Sequence, residues 1–297
     1  MHGLGNDFIV IDCIEQTCPA ETAYLQALSK RLCDRRFGIG ADQILLLDHS
    51  DRADFRMRIL NADGSEVEMC GNGIRCLAAY IWDRKLSEKG VLEIETLAGI
   101  MKPERAGDMV RVDMGAPILE PERIPVSVHA EVNAHLATSN PPIPPLEKGG
   151  KERFEMGVII DYPLRIADRE FKITCVSMGN PHAVIVVDGV EDFPVQYYGP
   201  MIETHPVFPR RTNVEFIEIL NTAEVKMRVW ERGAGETMAC GTGASAAAVV
   251  SALKGLTGTT VTVHLLGGDL LIEQAANKHI YMTGPAEKVF EGLVDIS

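Results

Sequence analysis

Two of the seven cysteines sit in matching surroundings. Cys70 lies near the end of Asn61-Ala-Asp-Gly-Ser-Glu-Val-Glu-Met-Cys-Gly-Asn-Gly73, and Cys240 near the end of Glu231-Arg-Gly-Ala-Gly-Glu-Thr-Met-Ala-Cys-Gly-Thr-Gly243. Each Cys-Gly-x-Gly precedes a segment with the apolar content of a helix, Gly73 to Leu86 and Gly243 to Leu253. A helix N-terminus presents free N–H groups and a partial positive charge. It stabilises a thiolate, whose pKa falls there, and a bound carboxylate. Two such thiols addressing one carbon suit inversion of configuration. One removes a proton as thiolate, and the other delivers a proton to the opposite face. The carbanion forming beside a carboxylate is stabilised by the helix N-termini, so no cofactor is required.

Other readings of the same residues remain open. Gly241-Thr-Gly-Ala-Ser-Ala246 fits G-x-G-x-x-A, but the preceding strand ends too early, near Trp230, and no acidic residue follows at the expected distance. Cys70 and Cys240 also suit a redox pair without turnover. Glu231-Arg232 reads as a structural ion pair or as a site where Arg232 grips a carboxylate. His182 reads equally as a core histidine. Cys13, Cys18, Cys33, Cys76 and Cys175 are expected to be small packing groups. There is no CxxC pair and no cluster with metal-ligand spacing, so neither a metal site nor pyridoxal chemistry is expected.

The elements that must position these groups come in two copies. Cys70 and Cys240 are 170 residues apart, as are Gln43 and Asn213, while Gly5-Asn6 and Gly179-Asn180 are 174 apart. Three pairs in one order at nearly one offset predict a duplicated domain, with a linker near Met114 to Ile124. Short Val/Ile/Leu-rich runs predict strands at 8–11, 44–47, 55–60, 91–96, 110–114, 158–160, 183–187, 214–220, 225–230 and 261–266. Alternation with charges, as in Met57-Arg58-Ile59, suggests half-buried antiparallel pairing. Helices are expected at Glu21 to Arg36 and at the two segments after the cysteine motifs. The class is α+β.

The chain has 297 residues, 29 Lys+Arg against 42 Asp+Glu, and a net charge of −13. That balance leaves no electrostatic footprint for nucleic acid or an anionic membrane. The N-terminus lacks the basic start and apolar core of a signal peptide, and an odd cysteine count points to the cytoplasm. Ser139 to Gly150, with four prolines and paired glycines, reads as an exposed insertion loop rather than a Pro-rich recognition motif.

HGLGNDFIVID, GIGADQILLL, NADGSEVEMCGNGIRC, MGNPHAVIV, RTNVEFIEI and WERGAGETMACGTGASAAA run in order along nearly the whole chain. Together they resemble the diaminopimelate epimerase family. The resemblance implies two pseudo-symmetric domains, each an antiparallel barrel-like sheet around a central helix, with the active site between them. It sets the domains at 1–115 and 116–283, with 284–297 packing back onto the first. It makes Cys70 and Cys240 the acid/base residues. Asn6, Gln43, Asn61, Asn180, Asn213, Glu231 and Arg232 match substrate-binding positions, and Gly71, Asn72, Gly241 and Thr242 match loops holding the α-carboxylate. His182 and Glu231 match positions that tune the thiols. The implied reaction is the cofactor-independent epimerisation of LL-diaminopimelate to the meso form, serving lysine and peptidoglycan precursor synthesis. Proline and hydroxyproline racemases are the sister activities.

Three features depart from the family pattern. Members begin some residues before MHGLGND, so part of a first strand is expected to be missing. The Pro-rich run is additional. Phe290 stands where members carry a Tyr linked to dimer contact, so a homodimer is still implied. Facing thiols also predict that oxidation joins Cys70 to Cys240 while the other five cysteines stay reduced.

Overall fold

The computed structural model describes residues 1–14, 18, 21–127 and 158–294. The Pro-rich run at 139–150 falls outside these residues. The chain forms two compact units, one of Met1–Asp113 with the segment from Met282 onward, the other of Met114–Tyr281.

The first unit begins with β1 (His2–Gly3), β2 (Asn6–Asp12), α1 (Thr22–Cys33), β3 (Gln43–Asp48), β4 (Phe55–Asn61) and β5 (Glu66–Val67). It continues with α2 (Gly71–Asp83), β6 (Ile94–Thr96), β7 (Gly99–Met101), β8 (Glu104–Ala106) and β9 (Met109–Asp113). Strand β3 is covered on both faces, which is why Ile44, Leu45, Leu46 and Leu47 form an unbroken apolar run. Helix α1 turns Leu25, Leu28 and Leu32 onto Ile44, Leu46 and Leu60. It ends at Cys33, not at the expected Arg36, because the Asp34 carboxylate accepts from the Arg36 and Phe37 N–H groups and turns the chain. Helix α2 buries Ile74, Leu77, Ala78 and Ile81.

The second unit contains β10 (Tyr162–Ile166), β11 (Arg169–Ser177), β12 (Pro181–Val186), α3 (Val195–Glu203), β13 (Asn213–Asn221) and β14 (Glu224–Glu231). β15 (Gly235–Thr237), α4 (Gly241–Leu253), β16 (Thr260–Leu265) and β17 (Gly268–Gln274) follow, and β18 (Ile280–Gly284) leads out of it. Helix α4 is buried along almost its whole length, as its run of small residues requires. Phe171, Phe193, Tyr198 and Phe216 anchor a core on which α3 packs. No Cβ fits at Gly199 of α3, since it would come 2.6 Å from Trp230 Cγ.

Two packed, sheet-rich units with few helices make this an α+β protein. The sheets differ in detail from the antiparallel barrels implied by resemblance. They are mixed: β2 pairs β3 and β4 pairs β6 in parallel, as do β12 with β13 and β14 with β16. The first unit's sheet runs β1-β2-β3-β4-β6-β7 with β5 beside β4, an open order. Each parallel pair is joined by a long crossover, which the alternation of single strands does not reveal. Residues 158–160 form no strand. Helix α3 escapes the apolar pattern because Gly199 and Pro200 interrupt it.

Cys13 and Cys18 are joined in a disulfide, with their Cα atoms 5.4 Å apart. This corrects their assignment as free packing thiols. The five-residue spacing sits at the end of β2, where the chain turns back and brings the two side chains into bonding range. Cys33, Cys70, Cys76, Cys175 and Cys240 are free.

Candidate active site

In the first unit Cys70 is the N-cap residue of α2. Its sulfur accepts from the Gly73 N–H at 3.4 Å, the role normally taken by an oxygen side chain. The thiol also lies 3.8 Å from Asn6 Oδ1, which accepts from Asn72 Nδ2 at 3.2 Å. Asn6 Nδ2 donates to Asp42, and Arg35 bridges Asp42 and Asp7. Asn6 is thereby held at the start of β2 by a network in its own unit. Gln43 and Asn61, paired across β3 and β4, share a hydrogen bond of 2.8 Å. Gly71 opens the helix between Cys70 and Asn72.

Behind them Arg75 is fully buried. It donates to the carbonyls of Pro285 and Gly71 and contacts Met282 Sδ. Burial lowers its pKa and, in the neighbouring Cys76, pushes the thiol up to about 12.

In the second unit Cys240 occupies the same capping position before α4. Its sulfur lies 3.5 Å from Thr242 Oγ1. Burial raises its pKa well above the ordinary thiol value, and the nearby carboxyls of Glu231 and Glu215 raise it further. Glu231, at the end of β14, accepts from Thr237 Oγ1 at 2.6 Å. Asn213 donates to the Pro181 carbonyl and accepts from the Arg232 backbone N–H. The Arg232 guanidinium reaches the Arg210 carbonyl. Gly241 begins α4 beside Thr242.

His182 is fully buried, with Nε2 2.8 Å from Asn180 Oδ1 and Nδ1 2.7 Å from Glu215 Oε1. Its two ring nitrogens are thus engaged with an amide and a carboxyl. Of these, Glu215 is one of the two carboxyls acting on Cys240. Each unit therefore gathers its own share of the expected residues around a helix-capping cysteine: Asn6, Gln43, Asn61, Gly71 and Asn72 in one, and Asn180, His182, Asn213, Glu231, Arg232, Gly241 and Thr242 in the other.

Glu215 and Arg75 were not singled out from the sequence. Glu215 carries a signal in retrospect. It is a charged residue in the strand Asn213-Val-Glu-Phe-Ile-Glu-Ile, two positions after Asn213, and Leu45 stands two positions after Gln43. Among the described residues no group of three or more His, Cys, Asp or Glu side chains has metal-binding geometry.

Comparison with known proteins bears on this arrangement. The family model for diaminopimelate epimerase matches residues 1–120 and 174–289. A protein named diaminopimelate epimerase from Acetivibrio thermocellus is 50% identical over 305 residues, covering 100% of this chain and 98% of its own. One of the same name from Carboxydothermus hydrogenoformans is 51% identical over 293 residues, covering 98% and 97%. Among solved structures, a phenazine biosynthesis protein of the PhzF family from Bacillus anthracis superposes with a TM-score of 0.64 at 18% identity, covering 99% of this chain and 95% of that one. A probable proline racemase from Agrobacterium radiobacter does so at 0.63 and 15%, covering 99% and 92%. At such identities these two show the shared fold.

Proposed function

This chain belongs to the diaminopimelate epimerase family and is an isomerase acting as a diaminopimelate epimerase, and from that premise we propose that Cys70 and Cys240 are its two acid/base groups. The thiolate of one takes the α-hydrogen as a proton. The electron pair left on carbon is delocalised into the adjacent carboxylate. The thiol of the other then gives its proton to the opposite face of the same carbon, and the net change is inversion. Each turnover leaves the proton on the other sulfur.

The observation that carries this reading is the repeated cap, a free cysteine at the N-terminus of α2 and another at that of α4. The free N–H groups of both first turns suit an α-carboxylate, with Gly71, Asn72, Gly241 and Thr242 supplying them. The amides Asn6, Gln43, Asn61, Asn180 and Asn213 offer donors and acceptors to a zwitterionic substrate without adding charge. Arg232 and Glu231 suit its distal carboxylate and ammonium. A site built this way discriminates strongly against substrates lacking the second amino acid end. The chemistry needs neither metal nor pyridoxal.

No helix among the described residues is long and apolar enough to cross a membrane. A cytoplasmic setting agrees with the acidic charge and the biosynthetic reaction. A homodimer is supported by Val289, Phe290 and Leu293, apolar and exposed near the C-terminus.

Incubation with LL-diaminopimelate in heavy water tests the reaction. The expected result is formation of the meso form with deuterium incorporated at one α-carbon, unchanged after dialysis against a strong chelator. Turnover of proline or hydroxyproline in its place would overturn the substrate assignment. Sedimentation of the protein beside its Phe290→Asp variant tests the dimer.

A further inference from the structure

The two units provide an internal control for every residue beneath the capping cysteines. In unit one, β2 and β3 pair in parallel with Phe8 beside Gln43 and Val10 beside Leu45. In unit two, β12 and β13 pair in parallel with His182 beside Asn213 and Val184 beside Glu215. His182 thus occupies the place of Phe8, and Glu215 that of Leu45. The helix glycines confirm the match. A Cβ built on Gly73 would meet Leu45 Cδ2 at 3.1 Å and Phe8 Cε1 at 3.5 Å, while one on Gly243 would meet Glu215 Oε1 at 2.9 Å. The same pocket under the same helix turn is hydrocarbon in one unit and an ionisable pair in the other. The fold is satisfied by Phe and Leu, so packing does not explain His and Glu. Burying two polar groups where apolar ones fit costs stability unless they do something else.

We propose that Glu215 is a positioning residue for the reaction: as a neutral acid it donates to His182 Nδ1 and, through His182, fixes the direction in which the Asn180 amide faces. This rests on the reading of Asn180 as a substrate-binding residue.

The hydrogen bonds set the protons. Asn180 Oδ1 is an amide oxygen and only accepts, so His182 Nε2 carries the hydrogen. In the neutral ring Nδ1 must then accept, and its neighbour at 2.7 Å, Glu215 Oε1, must be the donor. Glu215 Oε2 is buried without a hydrogen-bond partner among the described residues. An unpartnered carbonyl oxygen of an acid is far cheaper there than an unpartnered carboxylate oxygen. The groups facing Glu215 agree. They are His182 from β12, Glu231 from the end of β14, Cys240 from the cap of α4 and Cys175 from β11. Apart from His182, none brings a cation. Burial accordingly raises the pKa of Glu215. With Oδ1 occupied by His182, the Asn180 NH2 is the free end of that amide, oriented to donate to a substrate carboxylate.

Two variants and a spectrum test this. Glu215→Gln keeps a donor for Nδ1 and removes the titratable group. Glu215→Leu copies unit one and removes the donor. In 15N spectra of the free protein, with His182 assigned by its absence in His182→Gln, the expected form is the neutral Nε2–H tautomer. Glu215→Gln should retain that spectrum and a KM within about threefold of wild type. Glu215→Leu should raise KM about tenfold or more with a smaller change in kcat, at unchanged far-UV circular dichroism; the range is that of a lost hydrogen bond to a charged group. An imidazolium or Nδ1–H form in the wild type would overturn the proposal, as would equal KM values for the Gln and Leu variants. The spectrum is read without substrate. A protein that keeps the tautomer but does not turn over LL-diaminopimelate overturns the functional reading alone.

Discussion

Glu215 Oε1 and Gly243 are in contact: the carboxyl of β13 rests against the first turn of α4 where a Cβ would otherwise be. The alanine substitution measures that contact. Gly243→Ala forces a 2.9 Å approach to a buried carboxyl held by His182. Gly73→Ala makes a 3.1 Å approach to the far end of a leucine, which yields by rotating. Urea unfolding should find Gly243→Ala destabilised by roughly 1–3 kcal/mol, the cost of overpacking, and Gly73→Ala by less. Activity should fall further in Gly243→Ala. Equal losses in the two variants would show that the carboxyl moves aside freely.

Replacing either capping thiol should remove one half of the proton relay. Cys70→Ser and Cys240→Ser are each expected to lower kcat about 10²–10⁴-fold, the worth of a positioned general acid or base. Because the groups act as a unit, the double variant should be little worse than either single one. Steady-state epimerisation decides this, and additive losses would indicate independent roles.

Alkaline pH should unfold the protein through its buried thiols. The pKa values of Cys76, Cys175 and Cys240 are all raised, chiefly by burial, with Cys76 at about 12. The folded state keeps these protons while the unfolded chain loses them near 9.0. A raised folded pKa contributes no penalty below the unfolded value and loses stability above it. Each thiol should therefore cost about 1.4 kcal/mol per pH unit between its unfolded and folded pKa. Cys76→Ala should show a shallower decline than wild type from about pH 9 upward when urea midpoints are compared. Parallel declines would place Cys76 in contact with water.

The Cys13–Cys18 bridge closes a short loop, so its removal should be mild. The chain-entropy estimate for a loop of this size is roughly 2 kcal/mol. Cys13→Ser/Cys18→Ser is expected to lose up to that amount with turnover intact. Mass mapping of the non-reduced protein should find this pair bonded. On mild oxidation, any second bridge should be Cys70 to Cys240 if the two thiols share a carbon, and a bridge involving Cys76 would contradict that role.

What was legible in the sequence follows from how local each signal is. The caps at Cys70 and Cys240 were readable because a polar loop, a cysteine, two glycines and an apolar helix fall within twenty residues. The strands carrying Asn6, Gln43 and Asn213 showed as apolar runs because both faces of their sheets are covered. The parallel pairing of β2 with β3 and of β12 with β13 was not readable, since it depends on a crossover many residues long. Helix α3 was hidden by Gly199 and Pro200, whose places are set by the Trp230 ring and the helix's own exposed side. The Cys13–Cys18 bridge needed the chain reversal after β2. Glu215 looked like one more charge alternating along a strand, and only the register against Asn213 and His182 turns it inward.

The buried pair has a consequence for the enzyme between turnovers. Two identical half-sites would leave the free protein indifferent to which sulfur holds the proton. With hydrocarbon under one cap and Glu215 under the other, the two proton isomers of the empty enzyme differ in free energy. The product of each cycle releases the less or the more stable isomer according to direction, and the protein must relax before it meets the next substrate of the same hand. At saturating substrate that relaxation becomes visible as a memory: the rate of interconversion depends on which stereoisomer the molecule last released.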